Sequence, residues 1–289
     1  MLFGEKRKNK MLKSIKYVYF ALLLSVSITT VACQTKEVRT AAAVKKCQVY
    51  LDRDEVSEAG DCYQQAVLAN PSAAKEITEA GENAIFQKCV DFKNKEDFRS
   101  AIICFEGITE LMPNSANVQF NLADSYYEYF KENGYKDAEI LASSQEAVEK
   151  GLQVKNDDIA GKFLYAEILQ SFGKLKEAKE QYKKLIELDS KTSLYWSGLG
   201  LTQQKLNEDI DAIKSFEKAI ILDPKNYLNY AFSAKSHQKI GEIAKAIEAL
   251  EKALQLEPSD VDVKAELNKL KEELKTNSTK RTKSKASGA

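Results

Sequence analysis

Histidine, proline and glycine are scarce in this chain. Among 289 residues there are one histidine, His237, 4 prolines and 12 glycines. Because most Ser–His and Cys–His mechanisms need a histidine beside the nucleophile, no catalytic constellation is predicted, and no glycine-rich phosphate loop is present. The few helix breakers, together with many Ala, Leu, Glu, Lys and Gln residues, predict an all-α protein. The sequence therefore predicts no catalytic residue, no cofactor and no small-molecule substrate.

An excess of one charge is also lacking. The chain has 43 basic and 43 acidic residues. Residues 1–32 contain six of the basic residues and one of the acidic ones, so the remainder has 37 and 42, a net charge of −5. A mildly acidic protein is not a good general binder of nucleic acid, and no nucleic-acid partner is predicted.

The N-terminus contains a long uncharged run. Residues 1–16 are basic, and residues 17–32 are apolar and uncharged. This run is shorter than the about 20 residues that a membrane-spanning helix needs, so residues 1–32 are predicted to be an export signal peptide. Met11 also precedes a basic stretch, and the choice between Met1 and Met11 as the true start stays open.

The predicted signal peptide ends in Thr30-Val31-Ala32-Cys33, which resembles a bacterial lipobox. The resemblance implies that Cys33 becomes the lipid-bearing first residue, and ordinary cleavage after Ala32 is the alternative. Residues 33–39 would then be a lipidated tether. The six residues after Cys33, residues 34–39, reach at most about 20 Å when extended. An array anchored in this way would lie close to a membrane of the bacterial cell envelope, with the outer membrane favoured, and would face the periplasm or the cell surface.

Two similar segments organise the rest of the chain. Residues 193–226 align with residues 227–260, so the same residue types recur 34 positions apart. The alignment pairs small residues with small ones and bulky residues with bulky ones: Ala212 with Ala246, Ala219 with Ala253, Phe216 with Leu250, Trp196 with Tyr230, and Pro224 with Pro258. Such a period is typical of two helices joined by a short turn.

The first segment also carries a family pattern. Numbered from residue 193, it has Trp196, Leu199, Gly200, Ala212, Phe216, Ala219 and Pro224 at places 4, 7, 8, 20, 24, 27 and 32. This pattern resembles the tetratricopeptide repeat, a helix–turn–helix unit of about 34 residues. The resemblance implies a right-handed superhelical α-solenoid, because each unit buries its apolar face only against its neighbours. It also implies that Trp196 and Phe216 are structural.

Weaker copies extend the pattern towards the N-terminus. About six repeats are predicted, at residues 40–73, 82–115, 116–158, 159–192, 193–226 and 227–260. The third is longer than the period by nine positions, with the excess near Asn133-Gly134, and residues 74–81 are predicted to extend a helix. Residues 261–275 have one apolar stripe and are predicted to cap the array, which covers residues 40–275. Residues 276–289 lack apolar periodicity and are predicted to be a disordered basic tail.

Four cysteines remain besides Cys33. Cys47 and Cys62 have the same spacing as Cys89 and Cys104, and both pairs occupy places 8 and 23 of their repeats. Places whose sum is near 31 lie opposite each other in an antiparallel helix pair, so each pair is predicted to form a disulfide within its repeat. Buried free thiols are the alternative. A metal site is not predicted, because CxxC spacing is absent.

The family resemblance also implies a binding surface. Members of this family usually bind partners in a concave groove lined by the first helix of each unit, at places 2, 5, 9, 12 and 13. The partner-binding residues implied for this chain are Phe120, Asp124, Tyr127, Phe163, Glu167, Gln170, Leu194, Leu201, Gln204, Lys205, Lys235, Gln238 and Lys239. The groove changes from acidic and aromatic to apolar and then basic, which suits an extended peptide or a helix of opposite polarity. The alternative is that these side chains merely face solvent.

The sequence thus predicts an exported, membrane-tethered scaffold that binds a protein or peptide and helps to assemble envelope, secretion or pilus machinery. Its contact with the membrane would be made through the N-terminal lipid. Two alternatives stay open. One is a surface-exposed lipoprotein that contacts host or matrix molecules, and the other is an accessory regulator of an envelope enzyme.

Overall fold

The computed structural model describes residues 35–286, and the side chains of residues 35–109 and 112–276 among them. The predicted signal peptide and Cys33 lie outside this range. The described residues form thirteen α-helices and one short 3-10 turn, and they contain no strand. The predicted all-α solenoid is therefore confirmed.

Twelve of these helices form six consecutive antiparallel pairs, and the thirteenth follows them. In chain order the helices are α1 (Lys36–Leu51), α2 (Val56–Ala69), α3 (Ala74–Asn94), α4 (Phe98–Leu111), α5 (Ala116–Glu132), α6 (Ala138–Val154), α7 (Ile159–Ser171), α8 (Leu175–Leu188), α9 (Ser193–Lys205), α10 (Asp209–Leu222), α11 (Tyr227–Lys239), α12 (Ile243–Leu256) and α13 (Val261–Ala286). The odd-numbered helices from α1 to α11 are the first helices of the pairs, and the even-numbered ones are the second helices. The six pairs follow the order of the six predicted repeats.

The turn between the two helices of a pair contains a residue in the left-handed backbone conformation. Asp54, Glu96 and Asn207 have φ angles of 62°, 61° and 62°, and Gly173 and Gly241 have 76° and 82°. All five stand at place 15 of their repeats. Glycine adopts this region freely and asparagine and aspartate tolerate it. Glu96 adopts it as well, so the short turn recurs at a fixed place despite different residues.

Polar side chains begin several of the first helices. The Asp158 carboxylate accepts a hydrogen bond from the Gly161 amide at 2.8 Å, and the Asn226 side chain accepts one from the Leu228 amide at 3.1 Å. Such caps satisfy amides that have no partner within the helix. They fix where each new pair begins, a few residues after the previous one ends.

Small residues let the two helices of a pair approach closely. A methyl group on Gly200 of α9 would lie 2.7 Å from the Phe216 ring of α10, and Phe216, Ala212 and Ala246 are fully buried. The structural role implied for Phe216 follows from this contact. Trp196 is only partly buried, and its indole nitrogen donates to the Ser190 carbonyl at 2.9 Å, so it ties the helix to the preceding turn.

The first helices occupy the inner side of the stack. Each first helix contacts the first helix of the next pair; for example, α5 contacts α7 and α9 contacts α11. Successive second helices are further apart. In a curved stack, elements on the inside lie closer together than those on the outside. The first helices therefore line the concave face.

Both ends of the array differ from the prediction. Helix α1 begins at Lys36, where the Thr35 hydroxyl caps it, so residues 36–39 are helical and not part of an extended tether. The last helix continues past Lys275 to Ala286, where a disordered tail was predicted. Extending an existing helix needs no new nucleus, and no glycine or proline interrupts the sequence before Gly288.

The last helix covers the end of the stack with its first turns. Val263, Leu267 and Leu270 are buried against α12, and the opposite face of this stretch is polar. This arrangement closes an array whose final pair would otherwise expose its apolar surface. Within the described residues, no helix combines the length and apolarity needed to cross a bilayer.

Candidate partner-binding groove

A row of side chains joins neighbouring first helices along the concave face, and the last of them joins α11 to α13. Each member stands at place 12 of its repeat and bonds to the helix that follows along this face. The members of this inner ladder are Lys93, Tyr127, Gln170, Gln204 and Gln238.

The glutamine rungs repeat the same geometry. The Gln170 amide donates to the Thr202 hydroxyl at 2.7 Å and to the Gly198 carbonyl at 3.3 Å. One repeat later the Gln204 amide donates to the Ser236 hydroxyl at 2.8 Å and to the Phe232 carbonyl at 2.9 Å. Each rung thus holds two adjacent repeats in register.

The other three rungs have different hydrogen-bond partners, and two of them have a different residue type at the same place. The Tyr127 hydroxyl lies 3.0 Å from the Ser171 hydroxyl and donates to the Glu167 carbonyl at 3.4 Å. Lys93 donates to the side chain of Asn121 at 2.5 Å, and the Gln238 amide bonds to Glu266 of α13 at 2.9 Å. Burial is the main cause of the raised pKa of Tyr127, so this phenol stays protonated and can donate.

The ladder gives the predicted groove residues at place 12 a different role. Tyr127, Gln170, Gln204 and Gln238 were predicted to contact a partner, but their polar groups bond to the neighbouring helix, and Gln204 is buried. The sequence contained the signal for this role. Glutamine stands at the same place in three successive repeats, and a hydroxyl residue, Thr202 or Ser236, stands at place 10 of the repeat after each of the first two.

The three predicted groove lysines, Lys205, Lys235 and Lys239, differ in their contacts. The Lys239 ammonium lies 3.2 Å from the Gln204 carbonyl and 3.6 Å from the Asp209 carboxylate. It therefore caps the C-terminal end of α9. Lys205 and Lys235 are exposed, and within the described residues neither has an ion pair. Of the three predicted basic residues, these two are available to a ligand.

The acidic end of the groove contains three carboxylates and two lysines. The Asp124 carboxylate pairs with Lys93 at 3.1 Å, and the Glu128 carboxylate pairs with Lys131 at 2.5 Å. Glu167 is half-buried and has no ion pair among the described residues.

The surroundings of Glu167 disfavour the charged form of its carboxyl group. Burial raises the pKa of Glu167 to about 7; Lys131 opposes the rise, while Glu128 and Asp124 add to it. This carboxyl therefore titrates near neutrality.

The predicted aromatic residues pack against the framework. A methyl group on either Gly151 or Gly161 would lie 2.5 Å from the Phe120 ring, so Phe120 fills the space between α6 and α7. The Phe163 ring lies 6.2 Å from that of Tyr182 and 5.5 Å from that of Tyr195. Phe120 and Phe163 are only partly buried, so part of each side chain remains accessible to a ligand.

Two aliphatic residues complete the predicted set. Leu194 at the start of α9 is 53% exposed, and Leu201 is half-buried between the acidic and basic regions. The concave face thus contains an open apolar stretch with carboxylates before it and lysines after it.

The structure brings together both predicted cysteine pairs. The sulfur atoms of Cys47 and Cys62 lie 2.14 Å apart, joining α1 to α2, and those of Cys89 and Cys104 lie 2.08 Å apart, joining α3 to α4. The Cα separations of 5.6 and 5.3 Å lie within the range of disulfides. Among the described residues, no group of His, Cys, Asp and Glu is arranged to hold a metal ion.

Comparisons with known proteins agree with this architecture. A family model described as tetratricopeptide repeat matches residues 161–192, and one described as regulator of microtubule dynamics protein 1-3 matches residues 210–278. A comparison with curated proteins finds no significant match.

Solved structures of repeat proteins superpose on the array. YrrB is 15% identical, with 72% of this chain and 97% of YrrB covered and a TM-score of 0.54. MamA from Desulfovibrio magneticus is 13% identical, with 62% and 97% covered and a TM-score of 0.55. TTC0263 from Thermus thermophilus is 16% identical, with 65% and 98% covered and a TM-score of 0.50. At these identities the likeness concerns the fold alone.

The paired helices, the repeat match and these neighbours place the molecule in the class of α-solenoids. Residues 161–192 match the tetratricopeptide repeat, and the array has the fold of solved tetratricopeptide-repeat proteins. Its particular features are the two cystine-linked pairs at the N-terminal end and the inner ladder along its concave face.

Proposed function

We propose that this chain is a protein–protein interaction scaffold that holds a segment of another protein against its concave face. The observation that carries the proposal is the set of inner side chains that the ladder leaves available. Leu194 is open to solvent, and Glu167, Lys205 and Lys235 have no ion pair within the described residues. YrrB, which has a similar fold, is a tetratricopeptide-repeat protein with an unusual peptide-binding site, which supports the proposal by analogy.

The test is photo-crosslinking from one inner and one outer position in cells that produce the protein. A photoreactive amino acid replaces Leu194 on α9 or Ile103 on α4, two aliphatic side chains that are both 53% exposed. Adducts from position 194 but not from position 103 are expected. Equal adducts from both positions, or adducts from position 103 alone, would rule out the inner face as the binding surface.

The crosslinked partner also separates the three settings in which such a scaffold could act. A component of envelope, secretion or pilus machinery supports the assembly role that we favour. An envelope enzyme identifies an accessory regulator, and a host or matrix molecule identifies a surface-exposed lipoprotein.

Membrane tethering through Cys33 is part of the same proposal. Substituting Cys33→Ala is expected to move the protein from the membrane to the soluble fraction, because the acyl chains on this cysteine would hold the protein in the bilayer. Mass spectrometry of the N-terminal peptide provides the direct measurement. An N-terminus at Cys33 without added lipid would show ordinary signal-peptide cleavage and would exclude the tether.

A further inference from the structure

The inner ladder is flanked by side chains whose charge changes along the array. Each rung is flanked by the side chains at place 13 of its own helix and place 9 of the next helix. These are Glu128 and Glu167 at the tyrosine rung, and Ser171 and Leu201 at the first glutamine rung. The flanks are therefore acidic at one rung and uncharged at the next.

The following rung has basic flanks. Lys205 stands directly after Gln204, and Lys235 stands directly before Ser236, which accepts the hydrogen bond from Gln204 at 2.8 Å. Both lysines are exposed and without an ion pair in the described part of the chain. Two cations beside one rung attract a negatively charged group more strongly than either does alone.

Only part of the acidic flank is neutralised within the protein. Glu128 is paired with Lys131, whereas Glu167 has neither an ion pair nor a side-chain hydrogen bond within the described residues. A half-buried carboxylate without an ion pair is destabilising, so its presence at the groove points to a cation supplied by a ligand.

The spacing of the flanks limits what can bridge them. The second glutamine rung lies two first helices further along the stack than the tyrosine rung. Packed helices lie about 8–10 Å apart, so the two rungs are separated by about 20 Å. An extended chain rises about 3.3 Å per residue. A peptide lying along the ladder would therefore span this distance with about six residues, and Leu201 lies in between.

We infer that the groove recognises an extended segment of a partner polypeptide that has a basic residue opposite Glu167 and acidic residues opposite Lys205 and Lys235, about six positions away. This inference rests on the proposed function and gives the bound segment its charge pattern and direction. The apolar stretch at Leu201 and Leu194 contacts the middle of the segment.

A library of short random peptides, each about twice as long as the span between the flanks, tests the inference. The full chain in detergent is used to select binders, and the affinity of the enriched peptides is measured by fluorescence anisotropy. The test variant carries Lys205→Glu with Lys235→Glu. The matched control carries Lys176→Glu with Lys184→Glu, two exposed lysines of the second helix α8 that also have no ion pair within the described residues. Leu194→Asp probes the groove without changing the lysines.

The inference predicts enriched peptides with a basic and an acidic residue about six positions apart. Their affinity should fall at least about tenfold in the groove double variant and stay within about twofold in the control, because two ion pairs become two repulsions. Peptides that lack this charge pattern but lose affinity on Leu194→Asp would overturn the inference and leave the proposed function standing. Peptides whose affinity is unchanged by every groove substitution, or the absence of any enriched peptide, would overturn both the inference and the proposed function.

Discussion

A carboxyl group that is half-buried without an ion pair destabilises a fold in its charged form, and Glu167 is such a group. Its pKa lies near 7 in the folded chain, above the ordinary value of 4.5. Because the folded state binds this proton more tightly than the unfolded state does, stability falls as the pH rises from about 4.5 to about 7. The free energy of unfolding is thus lowered at a position where a ligand's cation could restore it.

Glu167→Gln is therefore expected to stabilise the free protein at pH 8 by about 1–3 kcal/mol, since each pKa unit corresponds to about 1.4 kcal/mol and solvent screening reduces the effect. At pH 4 the two proteins should be equally stable. Urea unfolding at both pH values measures the difference. Glu187→Gln on the exposed face of α8 is the control, and a stabilisation by Glu167→Gln that is equal at both pH values would contradict the account.

The contact between Gly200 and Phe216 makes a second prediction at this scale. Gly200→Ala places a methyl group 2.7 Å from the Phe216 ring, and such overpacking costs about 1–3 kcal/mol. Gly60→Ala in α2 is the matched control, because its nearest neighbour would be 4.0 Å away and alanine favours a helix over glycine by about 0.5–1 kcal/mol. Thermal unfolding should show opposite shifts, and a stabilising Gly200→Ala would mean that the two helices are further apart than described.

The sequence could predict such contacts because small and bulky residues recur at fixed places. It could not predict which groove residues remain free. Gln204 and Lys205 are neighbours on one helix, yet the Gln204 amide bonds to the next repeat while Lys205 is exposed and has no ion pair among the described residues. That distinction depends on the distance to the neighbouring helix and on rotamers, which a pattern of residue types does not contain.

At the scale of helices, the two N-terminal pairs are held differently from the rest. Cys47–Cys62 and Cys89–Cys104 each join the two helices of one pair, and no cysteine follows Cys104. In the third pair a hydrogen bond of 2.7 Å from Ser144 to the Ala123 carbonyl joins the two helices. The covalent links therefore belong to the end of the array nearest the proposed tether.

The cysteine pairs make a prediction about oxidation in the cell. Non-reducing peptide mapping of the protein isolated from cells should find the two intra-pair disulfides and no crossed pairs. Removal of one disulfide by Cys47→Ala with Cys62→Ala should cost about 3 kcal/mol for a loop of this size. Four free thiols, or a link between the two pairs, would exclude this arrangement.

The glutamine rungs couple one repeat to the next. Gln204→Leu removes two hydrogen bonds and leaves the Phe232 carbonyl and the Ser236 hydroxyl without this partner, at an expected cost of about 1–3 kcal/mol. Hydrogen exchange should become faster in α11 and α12. Gln64→Leu on the exposed face of α2 is the control, and unchanged exchange in α11 would mean that the rung does not couple the repeats.

Helix ends were the least predictable elements. The start of α1 at Lys36 and the end of α13 at Ala286 both lie outside the predicted limits. Repeat patterns place the buried residues well but say little about terminal turns, because these turns bury no apolar stripe. Their extent depends on capping and on helix propagation.

At the scale of the whole molecule, equal numbers of acidic and basic residues conceal an ordered arrangement. The sequence has 43 of each, but the free charges of the groove are separated, with Glu167 on one side of Leu201 and Lys205 and Lys235 on the other. In a stack of repeats each unit contributes one step of such a surface. A gradient along the stack therefore gives the groove a direction.

A charge-exchange experiment tests the central claim most directly. The inner variant combines Glu167→Lys, Lys205→Glu and Lys235→Glu, and the outer variant on α8 combines Glu187→Lys, Lys176→Glu and Lys184→Glu. Each protein is titrated with the selected peptide and with a peptide in which the basic and acidic residues are exchanged. The account predicts that the inner variant prefers the exchanged peptide, while the wild type and the outer variant prefer the original. If all three proteins prefer the same peptide, the charges that flank the inner ladder do not determine what this chain binds.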